Sequence, residues 1–282
     1  MKILFSTIIL CFFCTQFVSA ADLELNIAVS KNIFLTAEPI EVGITLKNSS
    51  NQIIMTKYPH PSVQTLRLDI IDDAGNIVPY NGYYASGEKV SLELQPNEEF
   101  YQLLVLDELF GTGYSTELYN LSIDPGNYSI QAFFTDGVFN IASDKISIEV
   151  VPPSGKELEV YTEFLRISNS KNNTNQQNIL DVCNKYLMLV EHNPSSVYSP
   201  TILVQLSALY YVVLKDKHKT EQILKKLLQE YPGSGKCRDH ITTILDSIPS
   251  KSGKIDFLQK VKTQSKGSLM EKIYNKKLAE IN

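Results

Sequence analysis

The stretch Glu149-Val150-Val151-Pro152-Pro153-Ser154-Gly155-Lys156-Glu157 decides the fold. Before it apolar residues alternate, with Ile146, Ile148 and Val150 on one side and Ser147 and Glu149 on the other. After it they recur at helical spacing, at Leu158, Tyr161 and Leu165. The first period belongs to a half-buried strand and the second to an amphipathic helix. Pro152 and Pro153 end the strand, since neither can donate to a ladder and each turns its predecessor away from helix. Ser154 and Glu157 have the spacing of a capping box at the start of the helix. The chain therefore reads as an all-β half followed by an all-α half.

Upstream, alternating rows run through Leu23–Val29, Ile40–Leu46, Leu66–Ile70, Val90–Leu94 and Tyr128–Phe134, with a short run at Ile53–Met55 and a denser one at Phe100–Leu106. Gly, Pro, Asn and Asp clusters separate them, the pattern of an antiparallel sandwich. Asp72-Asp73-Ala74-Gly75-Asn76 is hairpin chemistry and lacks the later acidic ligand of a calcium loop. Downstream, helices are expected to about Ile167, then at 179–191, 197–215, 220–230, 236–247, 255–263 and 269–281. A polar linker is expected at 168–178, and a second capping box at Ser268 and Glu271. The segments 189–196 and 227–234 align 38 residues apart, each a helix end followed by a proline turn. A fixed period of that size is the mark of a short helical solenoid.

Glu38-Pro39-Ile40-Glu41-Val42 and Leu121-Ser122-Ile123-Asp124-Pro125-Gly126-Asn127-Tyr128 resemble the opening strands and the tyrosine corner of bacterial Ig-like modules. The layout is similar to macroglobulin-like domains and to BsuPI-type proteinase inhibitors. The resemblance implies an Ig-like β-sandwich and carries no inhibitory residue with it. Val204 to Pro232 resembles a tetratricopeptide unit, with Ala208, Tyr211, Leu224 and Pro232 at its small, aromatic, large apolar and turn positions. It departs from that pattern at Val204, Thr220 and Leu227. The expected organisation is a signal peptide at 1–20, an Ig-like sandwich at 21–152, a helix and polar linker at 153–178, and a TPR-like helical domain at 179–282.

The apolar content of 43% and charged content of 20% are globular values. Lys2, the apolar run Ile3 to Phe13, and Val18-Ser19-Ala20 read as a cleavable secretory signal, so the protein is expected to be exported, periplasmic or extracellular. No membrane span is expected after cleavage. Charge is unevenly shared: residues 21–152 carry 18 acids against 6 bases, a net of −12, and residues 153–282 carry 13 against 19, a net of +6. Two solvated surfaces satisfy that split; so does a helical half docked on an acidic one. Cys183 and Cys237 could pair as a disulfide in an oxidising compartment or lie as two buried thiols.

No nucleophile elbow, zinc-protease helix or phosphate loop occurs. The four histidines and two late cysteines lack the short spacings of a zinc site. The sequence reads as a non-catalytic protein with no cofactor, binding a protein or peptide rather than nucleic acid. A sandwich loop acting on a protease and a hydrolase with a scattered site are the alternatives. Candidate contact residues are the tyrosines of turn-rich segments, Tyr58, Tyr80, Tyr83, Tyr84 and Tyr114, and those of the helical half, Tyr198, Tyr210 and Tyr211.

Overall fold

The computed structural model describes residues 22–82, 84, 90–110, 123–170 and 176–281. Residues 1–20, where a signal peptide is expected, and Tyr83 and Tyr114 lie outside them. Strands fill the first part, up to β10 (Ile146–Val151), and helices follow from α1 (Gly155–Asn169) onward.

One sheet runs β1 (Leu23–Val29), β3 (Glu41–Asn48), β7 (Glu99–Val105), all antiparallel. A second runs β2 (Ile33–Leu35), β10, β8 (Gly126–Thr135), β5 (Leu66–Asp72), with β9 (Asn140–Ala142) on β8 and β2 parallel to β10. β4 (Ile54–Lys57) and β6 (Ser91–Leu94) form a separate ribbon. The alternating rows of both sheets meet in one core, where Leu25, Ile44 and Leu46 face Leu68, Ile70 and Ile130. Polar turn residues lock the ends. Buried Asn48 donates from Nδ2 to the carbonyls of Gln52, Leu94 and Gln95, tying β3 to the ribbon. The Tyr128 hydroxyl donates to the Asp124 carbonyl at 2.8 Å, a bond of the kind a tyrosine corner makes. Asp72 accepts from the amides of Ala74 and Asn76 and from Asn76 Nδ2, so its carboxylate serves the turn.

The helical half continues with α2 (Gln176–His192), α3 (Ser199–Ala208), a π-helical turn at Leu209–Val213, α4 (Lys217–Glu230), a 3-10 turn at Gly235–His240, α5 (Ile241–Ser247), α6 (Lys251–Gln264) and α7 (Met270–Ile281). The two proline turns of the 38-residue period are neighbours in space: the Tyr231 hydroxyl donates to the Pro194 carbonyl at 2.8 Å.

Three local expectations are corrected. Ser154 makes no side-chain cap, and Glu157 instead accepts from Ser196 Oγ at 2.7 Å. Glu271 takes the amide of Gly267 rather than that of Ser268. The inward stripe of α1 is Val160, Phe164 and Ile167, while Leu158 and Leu165 face solvent.

Candidate functional site: the seam between the halves and the exposed helical turn

β7 carries two faces with two loyalties. Phe100 and Leu104 belong to the sandwich core, whereas Leu103 belongs to the helical core and Tyr101 packs against it. A strand buried on both sides reads as a dense apolar run, which is the pattern at Phe100–Leu106. Gly43 makes the approach possible from the neighbouring strand. A Cβ there would stand 2.8 Å from Tyr101 Oη and 3.3 Å from Leu269 Cδ2, so only glycine leaves room for α7 and its preceding turn to settle on β3 and β7.

Polar contacts then fasten the two halves. The Tyr101 hydroxyl donates to the Leu269 carbonyl and the Tyr198 hydroxyl to the Thr36 carbonyl, both at 2.9 Å. Beyond β7 the acidic corner Asp107-Glu108 meets the basic turn Gly235–His240. Lys236 Nζ lies 2.8 Å from Asp107 and 3.0 Å from Glu108, with its side chain and that of Asp107 almost wholly covered. Burial pulls the Lys236 ammonium down, but the two carboxylates outweigh it and hold the group above the ordinary lysine range. Arg238 donates to Glu108 at 3.0 Å and to the Leu103 carbonyl at 2.7 Å. Opposite charges of the two halves thus meet in the seam, and the helical half is docked on the acidic one.

Glu41 of β3 enters the same seam and accepts from the Gly235 amide. Burial is the largest influence on its carboxyl and pushes it up to about 7; the Gly235 bond opposes that. Glu41, Glu38 and Glu230 line a cleft of about 490 Å³ with both proline turns. Glu38 is already committed to Lys31 at 2.6 Å and to the Leu35 amide at 2.8 Å. A second cleft, of about 340 Å³, opens between β7 and α7 and is lined by Tyr58, His60, Phe100, Tyr101, Arg238 and Lys276, among others.

The tyrosine candidates separate by burial. Tyr58 sits edge-on to Phe100 at 5.1 Å beside the smaller cleft. Tyr80 packs edge-on against Phe110 at 5.3 Å, with the exposed Tyr84 beside it. Tyr198, fully covered in the seam, and Tyr210, buried in the helical core, cannot meet a partner, so that expectation is corrected. Each serves packing instead. Tyr211 is 56% exposed, and Val212 and Val213 beside it are 57% and 47% exposed; Met188 of α2 is exposed as well. Sequence reasoning singled out Tyr211 but missed the two valines, because a helix of ordinary pitch would not turn three successive apolar residues outward. The π-helical turn does.

Cys183 and Cys237 are both buried thiols with no disulfide between them. Cys237 is held by its own turn, with Sγ 3.2 Å from the Tyr231 carbonyl. Among the described residues no group of three or more His, Cys, Asp or Glu is placed to hold a metal ion, and no helix is long and apolar enough to cross a membrane.

No family model matches the chain, and no curated relative does either. Several solved structures resemble part of it. The CARDB domain of PF1109 from Pyrococcus furiosus, crystallised with di-metal ions, is 16% identical over 46% of this chain and 88% of its own, with a TM-score of 0.28. A β-glucosidase from Listeria innocua is 15% identical over 46% of this chain and 16% of its own, with a TM-score of 0.27. Spo0M, a sporulation control protein from Bacillus subtilis, is 14% identical over 51% and 55%, with a TM-score of 0.27. Likenesses this loose transfer no property to the chain.

Proposed function

We propose that this is an exported, non-catalytic protein that binds another protein, with an Ig-like β half acting as the base for a TPR-like helical half. The observation that carries the reading is the outward run Tyr211-Val212-Val213 on the π-helical turn. Three consecutive exposed apolar residues cost solubility without helping the core, so they point to a covered surface. A π turn is also a common device for re-aiming side chains at functional sites.

The test is capture of a partner by the full chain and by Val212→Asp/Val213→Asp. The double variant should retain the wild-type stability within about 0.5 kcal/mol, as expected of surface changes, and lose the partner. Capture by both proteins alike would sink the proposal.

One observation favours a rival. Glu41 has a carboxyl poised near neutrality beside a cleft with two further carboxylates, an arrangement found in acid–base catalysts. Its bond to Gly235 and its burial give it a structural task instead. Turnover of glycoside or peptide substrates by wild-type protein, abolished in Glu41→Gln, would establish the hydrolase. The protease-inhibitor alternative depends on an extended exposed loop, and the turn-rich segments 85–89 and 111–122 lie outside the described residues.

A further inference from the structure

The smaller seam cleft is remote in the chain from Tyr211–Val213 and has a chemistry of its own. Its floor is aromatic: Tyr58, Phe100 and Tyr101, with Tyr58 and Phe100 in edge-to-face contact. Its charged lining consists of three cations, Arg238, Lys276 and Lys277, and two carboxylates, Asp239 and Glu280. Two of the cations are spent. Arg238 forks onto Asp239 at 2.5 Å while also holding Glu108, and Lys277 lies 2.8 Å from Glu280. Lys276 has no carboxylate partner among the described residues, and its Nζ rests 5.5 Å from the centre of the Phe100 ring. The lining therefore keeps one uncommitted positive charge at the edge of an aromatic floor.

His60 adds a neutral donor. Its Nδ1 accepts from the Ser62 amide at 3.1 Å, which places the ring proton on Nε2. Burial, reinforced by the Arg238 charge, lowers its pKa, so the ring is neutral at pH 7. A volume of about 340 Å³ is at the small end for ligand cavities, enough for one or two amino-acid residues.

We infer that this cleft receives the free C-terminal carboxylate of a peptide whose last side chain is aromatic or large and apolar. The carboxylate meets the Lys276 ammonium and the His60 Nε2–H, and the terminal side chain lies on Tyr58, Phe100 and Tyr101. A single negative charge matches the single spare cation. A dianionic phosphate would call for a second, and a cationic ligand would face Lys276 unopposed. The two halves supply the pieces jointly: the floor and His60 come from the sandwich, Lys276 from α7. Binding here does not require Tyr211–Val213 to be a contact surface.

The test is calorimetric titration of the full chain with Gly-Gly-Phe, its C-terminal amide, and Gly-Gly-Gly. Gly-Gly-Phe binds saturably; amidation, or replacing Phe by Gly, weakens it by about tenfold or more, as loss of one charged or one aromatic contact requires. Lys276→Gln should weaken the acid to the level of the amide, Lys276→Arg should largely keep it, and Lys260→Gln, on the exposed face of α6, should leave it unchanged. Because both lysines are exposed, matching circular dichroism is expected for every variant. Equal binding of acid and amide, no saturable binding of Gly-Gly-Phe, or a Lys276→Gln protein that binds as wild type would overturn the assignment.

Discussion

Glu41 is one residue through which pH acts on the stability of this protein. Its carboxyl lies in the seam near Glu38, Asp107 and Lys236, and burial raises it from 4.5 to about 7. The folded state therefore favours the protonated form. The stability this group contributes is complete below about pH 4.5 and is lost as the pH climbs through about 7. At about 1.4 kcal/mol for each pH unit between those two values, the loss comes to ~3 kcal/mol by pH 8. Glu41→Gln keeps an acceptor for the Gly235 amide and cannot ionise. It should unfold in more urea than wild type at pH 8 and in nearly the same urea at pH 4. Equal effects at both would show that folding leaves the Glu41 carboxyl unshifted. Lys236 gives the complementary case. Lys236→Ala leaves Asp107 buried without its cation and should cost about 3–5 kcal/mol in urea unfolding, whereas Lys236→Met with Asp107→Leu should recover most of it. None of this was legible in the sequence. The excess of acids in one half and bases in the other announced an attraction, but it takes a fold to bring Asp107 and Lys236 together from opposite halves of the chain.

Among the elements, β1, β5 and β8 were readable because each alternates and buries one face, and β3 by the apolar row Val42, Ile44 and Leu46, although the helical half covers Glu41 and Gly43 on its other face. β2 and β9, three residues apiece, are too short to display a period. The helices were readable by position but not always by face. On α1 a row at Leu158, Tyr161 and Leu165 competed with one at Val160, Phe164 and Ile167, and the second won by packing against α2. The two capping boxes failed differently: Glu271 reaches one residue further back, to the Gly267 amide, while Glu157 is taken by a donor that tertiary structure brings close. For Glu157 that donor is Ser196. Gly43 shows how one position governs a whole strand's company. Gly43→Ala drives a methyl into Tyr101 and Leu269, and should cost about 1–3 kcal/mol as overpacking, read from the thermal midpoint. A change no larger than that of an exposed alanine would mean that α7 does not press on β3.

Taken whole, the molecule has two cores joined along β7, and Leu103 is a member of the helical one. Calorimetry of the full chain should accordingly show one cooperative unfolding transition; two resolved transitions would mean that the seam contributes little. The division into halves was evident from the change of period at Pro152-Pro153, while docking stood as one of two readings of the charge split, and the dense apolar run of β7 took on its meaning only with the neighbour in place. The exposed turn Tyr211–Val213 was half legible for the same reason, since the π geometry that turns the valines outward leaves no mark in a hydrophobic pattern. The join also sets an order of events at birth. Asp107 must wait 129 residues for Lys236, on the order of ten seconds at ribosomal speed. From the completion of β10 at Val151 onward the newborn sandwich has its strands but not its cover, with Tyr101, Leu103 and an acidic corner bare. A chain arrested near residue 200 should bind a hydrophobic dye that the finished protein excludes, and a chaperone that shields greasy, negatively charged surface would find its client there.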